Sequence, residues 1–363
     1  MVITMSNSIG EKIKLTIFGE SHGEGIGMVL DGLPAGEAVD MEEVQKFMAR
    51  RMGGKRYTTS RAEPDIPKVI SGYFDGVTTG SPLCAIIENT NKRSQDYKNL
   101  LDIPRPSHAD YPAFVKYAGH NDTRGGGHFS GRLTAPLCTA GAMCIQMLRR
   151  RGIYIGAHIA SIAGVEDDRI DLANITEDEI RKATEREFPV LNEAKGEQMI
   201  EKIMEASADL DSVGGVVECV ILGVPTGYGE PWFDGIENRI ASAVFGIGAV
   251  RGIEFGCGFE AANMRGSEHN DAYTVDNGRI RTKTNNHGGI LGGITSGMPI
   301  VFRVAFKPTP SIARAQESVS LSEMKDVPLE IRGRHDPCIV PRAVPCVEAA
   351  AAVVMMDIIC GGK

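Results

Sequence analysis

Motif by motif, the familiar routes to chemistry are missing from this 363-residue chain. The eight cysteines include no Cys-x-x-Cys pair, so they read as reduced core residues of a cytoplasmic protein, not disulfides or metal ligands. The eight histidines show no His-x-x-x-His or His-x-His spacing, so no metal set is expected. Gly-x-Ser-x-Gly spacing occurs at residues 19–23, but Ser21 there is not read as a hydrolase nucleophile. The one glycine triplet is not followed by Lys-Ser/Thr as in a phosphate-binding P-loop, nor does a strand lead into it as in a dinucleotide fold. Aromatic residues are scarce at 6%, with a single tryptophan, Trp232. The N-terminus lacks the basic-then-apolar order of a signal peptide. Two apolar stretches, 136–148 and 343–360, mimic membrane helices. The first is too short for the roughly 20 residues needed, and the second carries Pro345, Glu348 and Asp357. Both read as buried helices. Positive charge is not in excess, since the net charge is −8, so neither nucleic acid nor membrane is an expected partner.

Charge and glycine are what the chain does have. Residues 166–211 hold 15 acidic and 6 basic residues, read as a solvated helical insert with a capping box from Thr176 to Glu179. Around it the sequence repeats weakly and in order. Segment 29–36 (Val-Leu-Asp-Gly-Leu-Pro-Ala-Gly) resembles 220–227 (Val-Ile-Leu-Gly-Val-Pro-Thr-Gly). Segment 76–83 resembles 293–300, and the helix from Pro136 resembles that from Pro345. Two halves are expected, about 12–165 and 213–363, joined by the insert within one domain. Strands are expected at 14–18, 27–30, 69–73, 83–88, 216–222, 253–256 and 300–306. Helices are expected at 41–51, 111–117, 136–151, 176–187, 196–206, 235–245 and 344–359. The pattern favours an α+β fold with duplicated βαβ-type halves, a helix layer lying between two sheets. The site is expected where the halves meet.

Gly19-Glu20-Ser21-His22-Gly23 ends an apolar run and places three proton-handling side chains at the mouth of a buried strand. Nine arginines cluster beside turns: Arg50, Arg51, Arg56, Arg61, Arg105, Arg124, Arg132, Arg332 and Arg334. Guanidinium groups grip carboxylates and phosphates bidentately, so a small polyanionic ligand is expected. The run 122–132 exposes backbone N–H groups at Gly125, Gly126 and Gly127 just before a helix, a natural anion site. Prolines stiffen the turn carrying His108, and Asp336 precedes a proline.

Together these segments resemble the chorismate synthase family. Gly-Glu-Ser-His-Gly with Asp-Gly-Leu-Pro-Ala-Gly is similar to its first signature, Gly-Gly-Gly-His-Phe-Ser-Gly-Arg to its second, and Gly-Arg-His-Asp-Pro-Cys to its third. Pro-Arg-Pro-Ser-His-Ala-Asp, Thr-Asn-Asn-His-Gly-Gly and Lys-Pro-Thr-Pro-Ser also have counterparts there. The resemblance implies a 1,4-anti elimination of phosphate from 5-enolpyruvylshikimate 3-phosphate. It implies reduced FMN as cofactor, NADPH as a candidate reductant, and a homotetramer with antiparallel sheets around a helix layer. His22 would assist phosphate departure, His108 would keep a proton near the flavin, and Asp336 would act in removing the substrate proton. Arg51, Arg56, Arg61, Arg105, Arg132 and Arg334 would hold the anions. His128, Phe129, Ser130, Gly248, Ala249, Gly292, Lys307, Pro308, Thr309, Pro310, Ser311 and Arg334 would hold FMN. Three positions depart from the family pattern: His128 replaces a cation by a titratable ring, Gly248 removes an amide side chain, and His335 stands where serine is usual. Two other readings stay open, an NADPH-driven flavin reductase and a non-catalytic anion- or flavin-binding protein.

Overall fold

A computed structural model describes residues 7–59, 63–90, 102–331 and 335–362. Two apolar helices set its plan. Helix α3 (Thr134–Arg150) and helix α7 (Val340–Gly361) are buried over most of their circumference. Such helices need cover on every side. They pack on each other, and a five-stranded antiparallel sheet lies beyond each.

The first sheet has strands β1 (Ser8–Ile9), β2 (Lys14–Gly19), β3 (Gly25–Asp31), β4 (Lys68–Ser71) and β5 (Leu83–Glu88), in the order β1-β2-β3-β5-β4. The second has β6 (Tyr154–Ile162), β7 (Val165–Glu166), β8 (Gly215–Leu222), β9 (Val250–Phe255) and β10 (Ile300–Phe306), in the order β7-β6-β8-β10-β9. Helix α3 covers β3 and β5, and α7 covers β6 and β8. Gly141 makes the close helix crossing feasible: a Cβ there would stand 2.3 Å from Ala349 Cα. Helix α7 is long and apolar enough to cross a membrane, with mean hydropathy 1.9, but 89% of its apolar window is buried inside the protein.

The repeated turns match atom for atom. Gly36 N–H donates to Thr78 O at 2.8 Å, and Gly227 N–H donates to Thr295 O at 3.0 Å. Thr78 Oγ1 donates to Pro34 O at 2.6 Å, and Thr295 Oγ1 donates to Pro225 O at 2.7 Å. The strand orders also correspond, with β6 in the place of β2. The second unit therefore starts at β6, ahead of the boundary expected from the sequence. The acidic segment interrupts this unit between β7 and β8 and does not join two halves.

Nor is that segment simply solvated. Helices α4 (Glu177–Thr184) and α5 (Glu193–Ala208) bury Ile180, Met199, Ile200 and Ile203. The capping box at Thr176 and Glu179 is present. Strand β6 escaped prediction because Tyr-Ile-Gly-Ala-His-Ile-Ala-Ser-Ile is covered on both faces and so lacks alternation. The remaining elements stand near their expected places: α1 (Met41–Ala49), α2 (Asp110–Lys116) and α6 (Ile236–Phe245).

Candidate active site

Strand β2 ends at Gly19, whose φ of 95° suits glycine, and a Cβ there would stand 2.4 Å from Gly25 O. The turn that follows is tied down from two sides. Asn89 Nδ2 donates to Glu20 O at 2.9 Å and to Gly23 O at 3.1 Å. Ser21 N–H donates to Gly127 O at 3.2 Å. These bonds pull Ser21 and His22 inside, where they are 1% and 3% exposed. Ser21 Oγ gives its proton to the carbonyls of Arg124 and Gly125 and lies 3.2 Å from His22 Nδ1. Its lone pair then accepts an Nδ1 proton, which fixes the ring.

The glycine triplet is the wall between two imidazoles. Gly125, Gly126 and Gly127 have φ of 61°, 86° and 52°. A Cβ on Gly125 would stand 2.1 Å from the His22 ring, and one on Gly126 would stand 3.4 Å from His108 Nε2. At Gly125 only backbone fits; at Gly126 the positive φ, not the space, favours glycine. On the far side, Asp110 accepts from Arg105 Nε at 2.7 Å and lies 2.6 Å from His108 Nδ1. Arg105 also approaches Nδ1, at 3.1 Å, but it can only donate. The shorter contact therefore decides the tautomer: Nδ1 carries the proton and gives it to Asp110. Burial opposes the charge on Asp110, yet the Arg105 and His108 bonds hold its carboxyl well below the usual range. Arg105 continues to Ser311 Oγ at 3.2 Å, while Lys307 Nζ donates to Ser107 O at 2.6 Å.

Beyond the loop lies a cavity of about 240 Å³, lined by Arg51, Arg132, Ser130, Gly248, Asp336 and Arg342 among others. A second, of about 470 Å³, lies next to it, with Ser130, Gly131, Thr134, Ile247 and Gly248 lining both; His128 and Phe129 line this second one. Asp336 is held at both oxygens, accepting Thr59 N–H at 2.7 Å and pairing with Arg342. Arg132 donates to Asn89 Oδ1 at 2.6 Å and Asp65 Oδ1 at 2.6 Å, and pairs with Glu63. Arg51 also pairs with Asp65, and its Nε is buried with no acceptor. Two buried guanidiniums thus face two buried carboxylates. An incoming anion must take over contacts those carboxylates now make.

Some expected residues lie elsewhere. Arg56 is on the surface, paired with Glu197 on α5 at 2.5 Å, and does not reach the cavity. Gly292 sits in the turn of the Ile290–Leu291 and Ile294–Thr295 hairpin and lines neither cavity. Arg61, Arg332 and Arg334 fall outside the described residues. Asn89, Glu63, Asp65, Asp110 and Arg342 were missed as site residues. Of these, Asp110 carried a signal in the sequence, as the aspartate that ends the proline-stiffened run around His108.

The surroundings leave room and polar partners for a flat polar ligand. No atom lies within 4 Å of where a Gly248 Cβ would stand. Ala249 holds φ of 74°, unusual for a residue with a Cβ, and its carbonyl accepts Lys307 N–H at 3.0 Å. Thr309 Oγ1 is buried without a partner. The His128 ring is anchored to Gly19 O at 2.8 Å, so it edges the larger cavity from a fixed position. Burial, with help from Arg105, holds His335 below the ordinary histidine range, so it adds no cation at neutral pH. Among the described residues no His, Cys, Asp and Glu group is arranged for a metal.

The family model described as chorismate synthase matches residues 13–360. A chorismate synthase from Pyrococcus abyssi is 50% identical over 348 residues, 96% of each chain. One from Dehalococcoides mccartyi is 46% identical over 362 residues, 98% of this chain and 96% of its own. A crystal structure of chorismate synthase superposes with a TM-score of 0.76 at 31% identity, over 96% of this chain and 92% of the other.

Proposed function

Because the chain belongs to the chorismate synthase family, we propose that its reaction is carried by His22, His108 and Asp336 on the geometry above. The enzyme is a carbon–oxygen lyase that eliminates phosphate from 5-enolpyruvylshikimate 3-phosphate in the 1,4-anti sense, giving chorismate. The observation that carries the assignment is the glycine wall. It sets two imidazoles, His22 buried and His108 half-buried, on either side of one loop, and the same loop runs on through Ser130 and Arg132 into the cavity that holds Asp336.

His22 donates a proton to the departing phosphate, with Ser21 fixing the ring. Asp336, oriented by Thr59 and Arg342, takes the substrate proton. Arg51 and Arg132 hold the substrate anions in exchange for Asp65 and Glu63. His108, held by Asp110, keeps a proton at the edge of the cofactor site. His128, Phe129, Ser130, Gly248, Ala249, Lys307, Thr309 and Ser311 hold FMN, with Pro308 and Pro310 stiffening the last segment. When bound, reduced FMN supplies the transient electron chemistry of an elimination without net redox change. Arg56 and Gly292 keep their proposed anion- and FMN-binding roles; like His22, His108 and the 307–311 segment, they line neither cavity themselves. Apolar side chains exposed on the hairpin Tyr273–Asp276 and Arg279–Thr282, notably Tyr273, Val275 and Ile280, support a homotetramer. A cytoplasmic location agrees with eight free thiols.

The test is anaerobic. Enzyme with chemically reduced FMN is mixed with 5-enolpyruvylshikimate 3-phosphate, and inorganic phosphate is measured. Release is expected, and no release would sink the reading. A parallel sample with oxidised FMN and NADPH shows whether the chain reduces its own flavin.

A further inference from the structure

Cys138 on α3 and Cys346 on α7 face each other across the core, with sulfurs 3.7 Å apart. They sit one turn from the Gly141 and Ala349 contact, where the two helices come almost to backbone distance. Cys346 also lines the smaller cavity, beside Arg51, Arg342 and Asp336. A thiol beside guanidiniums favours the thiolate, the nucleophilic form. The Cys138 S–H donated to it, opposed by burial and aided by Arg51, brings Cys346 down to about 6. Burial pushes Cys138 well above the ordinary thiol range. One sulfur is thus poised to attack and the other to follow. This differs from the inert role that the sequence suggests for the cysteines.

We propose that Cys138 and Cys346 form a peroxide-reactive dithiol reached through the cavity, and that bridging them shuts the site off. The chemistry balances with hydrogen peroxide as oxidant. Cys346 thiolate attacks one peroxide oxygen, giving a sulfenic acid and hydroxide. The Cys138 sulfur then attacks the sulfenic sulfur, and its proton leaves with the hydroxyl as water. Two thiols lose two electrons, and one peroxide becomes two waters. Bridging needs the sulfurs to close to about 2.05 Å, a shift of less than 2 Å. Arg342 lies one turn before Cys346 and steers Asp336. Closing the bridge shifts the first turns of α7 that carry this arginine and removes the thiolate beside Arg51. The shut-off rests on the cavity being the active site; the bridge itself does not.

Reduced enzyme is treated with hydrogen peroxide, the oxidant is removed, and free thiols are alkylated. Peptides are mapped by mass without reduction, and anaerobic phosphate release is measured on the same sample. The expected result is a peptide pair joined through Cys138 and Cys346, lighter by two hydrogens. Turnover should fall about a hundredfold, the worth of a displaced acid–base group, and return with dithiothreitol. In Cys138→Ala, dimedone should label Cys346 in place of the bridge. Oxidation of half-exposed Cys84 without any Cys138–Cys346 bridge would overturn the proposal, as would a bridge that leaves turnover intact. The bridge is sought in the wild-type chain, so the outcome does not depend on a variant folding. If unoxidised enzyme releases no phosphate, the functional reading fails separately.

Discussion

At the scale of single residues, the site works through partners that fix which proton sits where. His22→Ala removes the acid while leaving Gly125 and the cavity walls in place. Phosphate release should slow by about 10²-fold or more, with FMN binding nearly unchanged by fluorescence titration. If turnover survives, His22 is not the acid. Asp110→Asn replaces an acceptor-only carboxylate by an amide that can present either end to His108. The Nδ1 proton is then no longer fixed, and kcat should fall about a hundredfold with little change in KM. A change confined to KM would make Asp110 a binding residue instead. Local pattern marked the turn of His22, which folding alone explains poorly; His108 and Asp336 stand in proline turns that folding can explain, and the family resemblance marked them. It did not mark Asn89, Glu63 or Asp65. These are ordinary polar residues until the chain brings Arg51 and Arg132 to them. An ion pair between positions 65 and 132 leaves no trace in local pattern.

At the scale of elements, the core is the crossing of α3 and α7. Gly141→Val would drive a branched side chain into Ala349. The helices must separate, and stability should fall by about 1–3 kcal/mol or more in urea unfolding. An unchanged midpoint would mean that the crossing is looser than it looks. Both helices were legible because they are long, apolar and of helical period. Strands with one solvated face were legible too. Strand β6 was not, because it is covered on both faces and its glycine and alanines blur the pattern. Without β6, the expected boundary of the second unit falls too late in the chain. The repeat found by short matches shows two turns and the long apolar helix, and strand β6 has no sequence match to reveal it.

At the scale of the whole molecule, a row of charges crosses the second sheet. Glu254, Arg303, Glu218 and His158 are register partners across β9, β10, β8 and β6, and Asp167 closes the row. His158 is fully buried and lies 3.0 Å from Glu218 and 3.3 Å from Asp167. Burial opposes its charge, yet the two carboxylates raise it to about 9 from an ordinary 6.5. Its contribution is therefore complete below about pH 6.5 and is lost as pH rises through 9. That loss is worth about 3 kcal/mol. Urea midpoints measured from pH 6 to 10 should fall for the wild type, and fall less for His158→Gln. Parallel curves would assign the slope to other groups. Asp357 on α7 accepts N–H bonds from Glu11, Lys12 and Ile13 and pairs with Arg239. The last helix thus fastens the first strands. That arrangement has a cost in time. A ribosome adds about 5–20 residues per second, so α3 exists for roughly tens of seconds before α7 does. Through that interval the growing chain carries an uncovered apolar helix face and an N-terminal loop without its clasp. The core between the two sheets cannot close until α7 has been made.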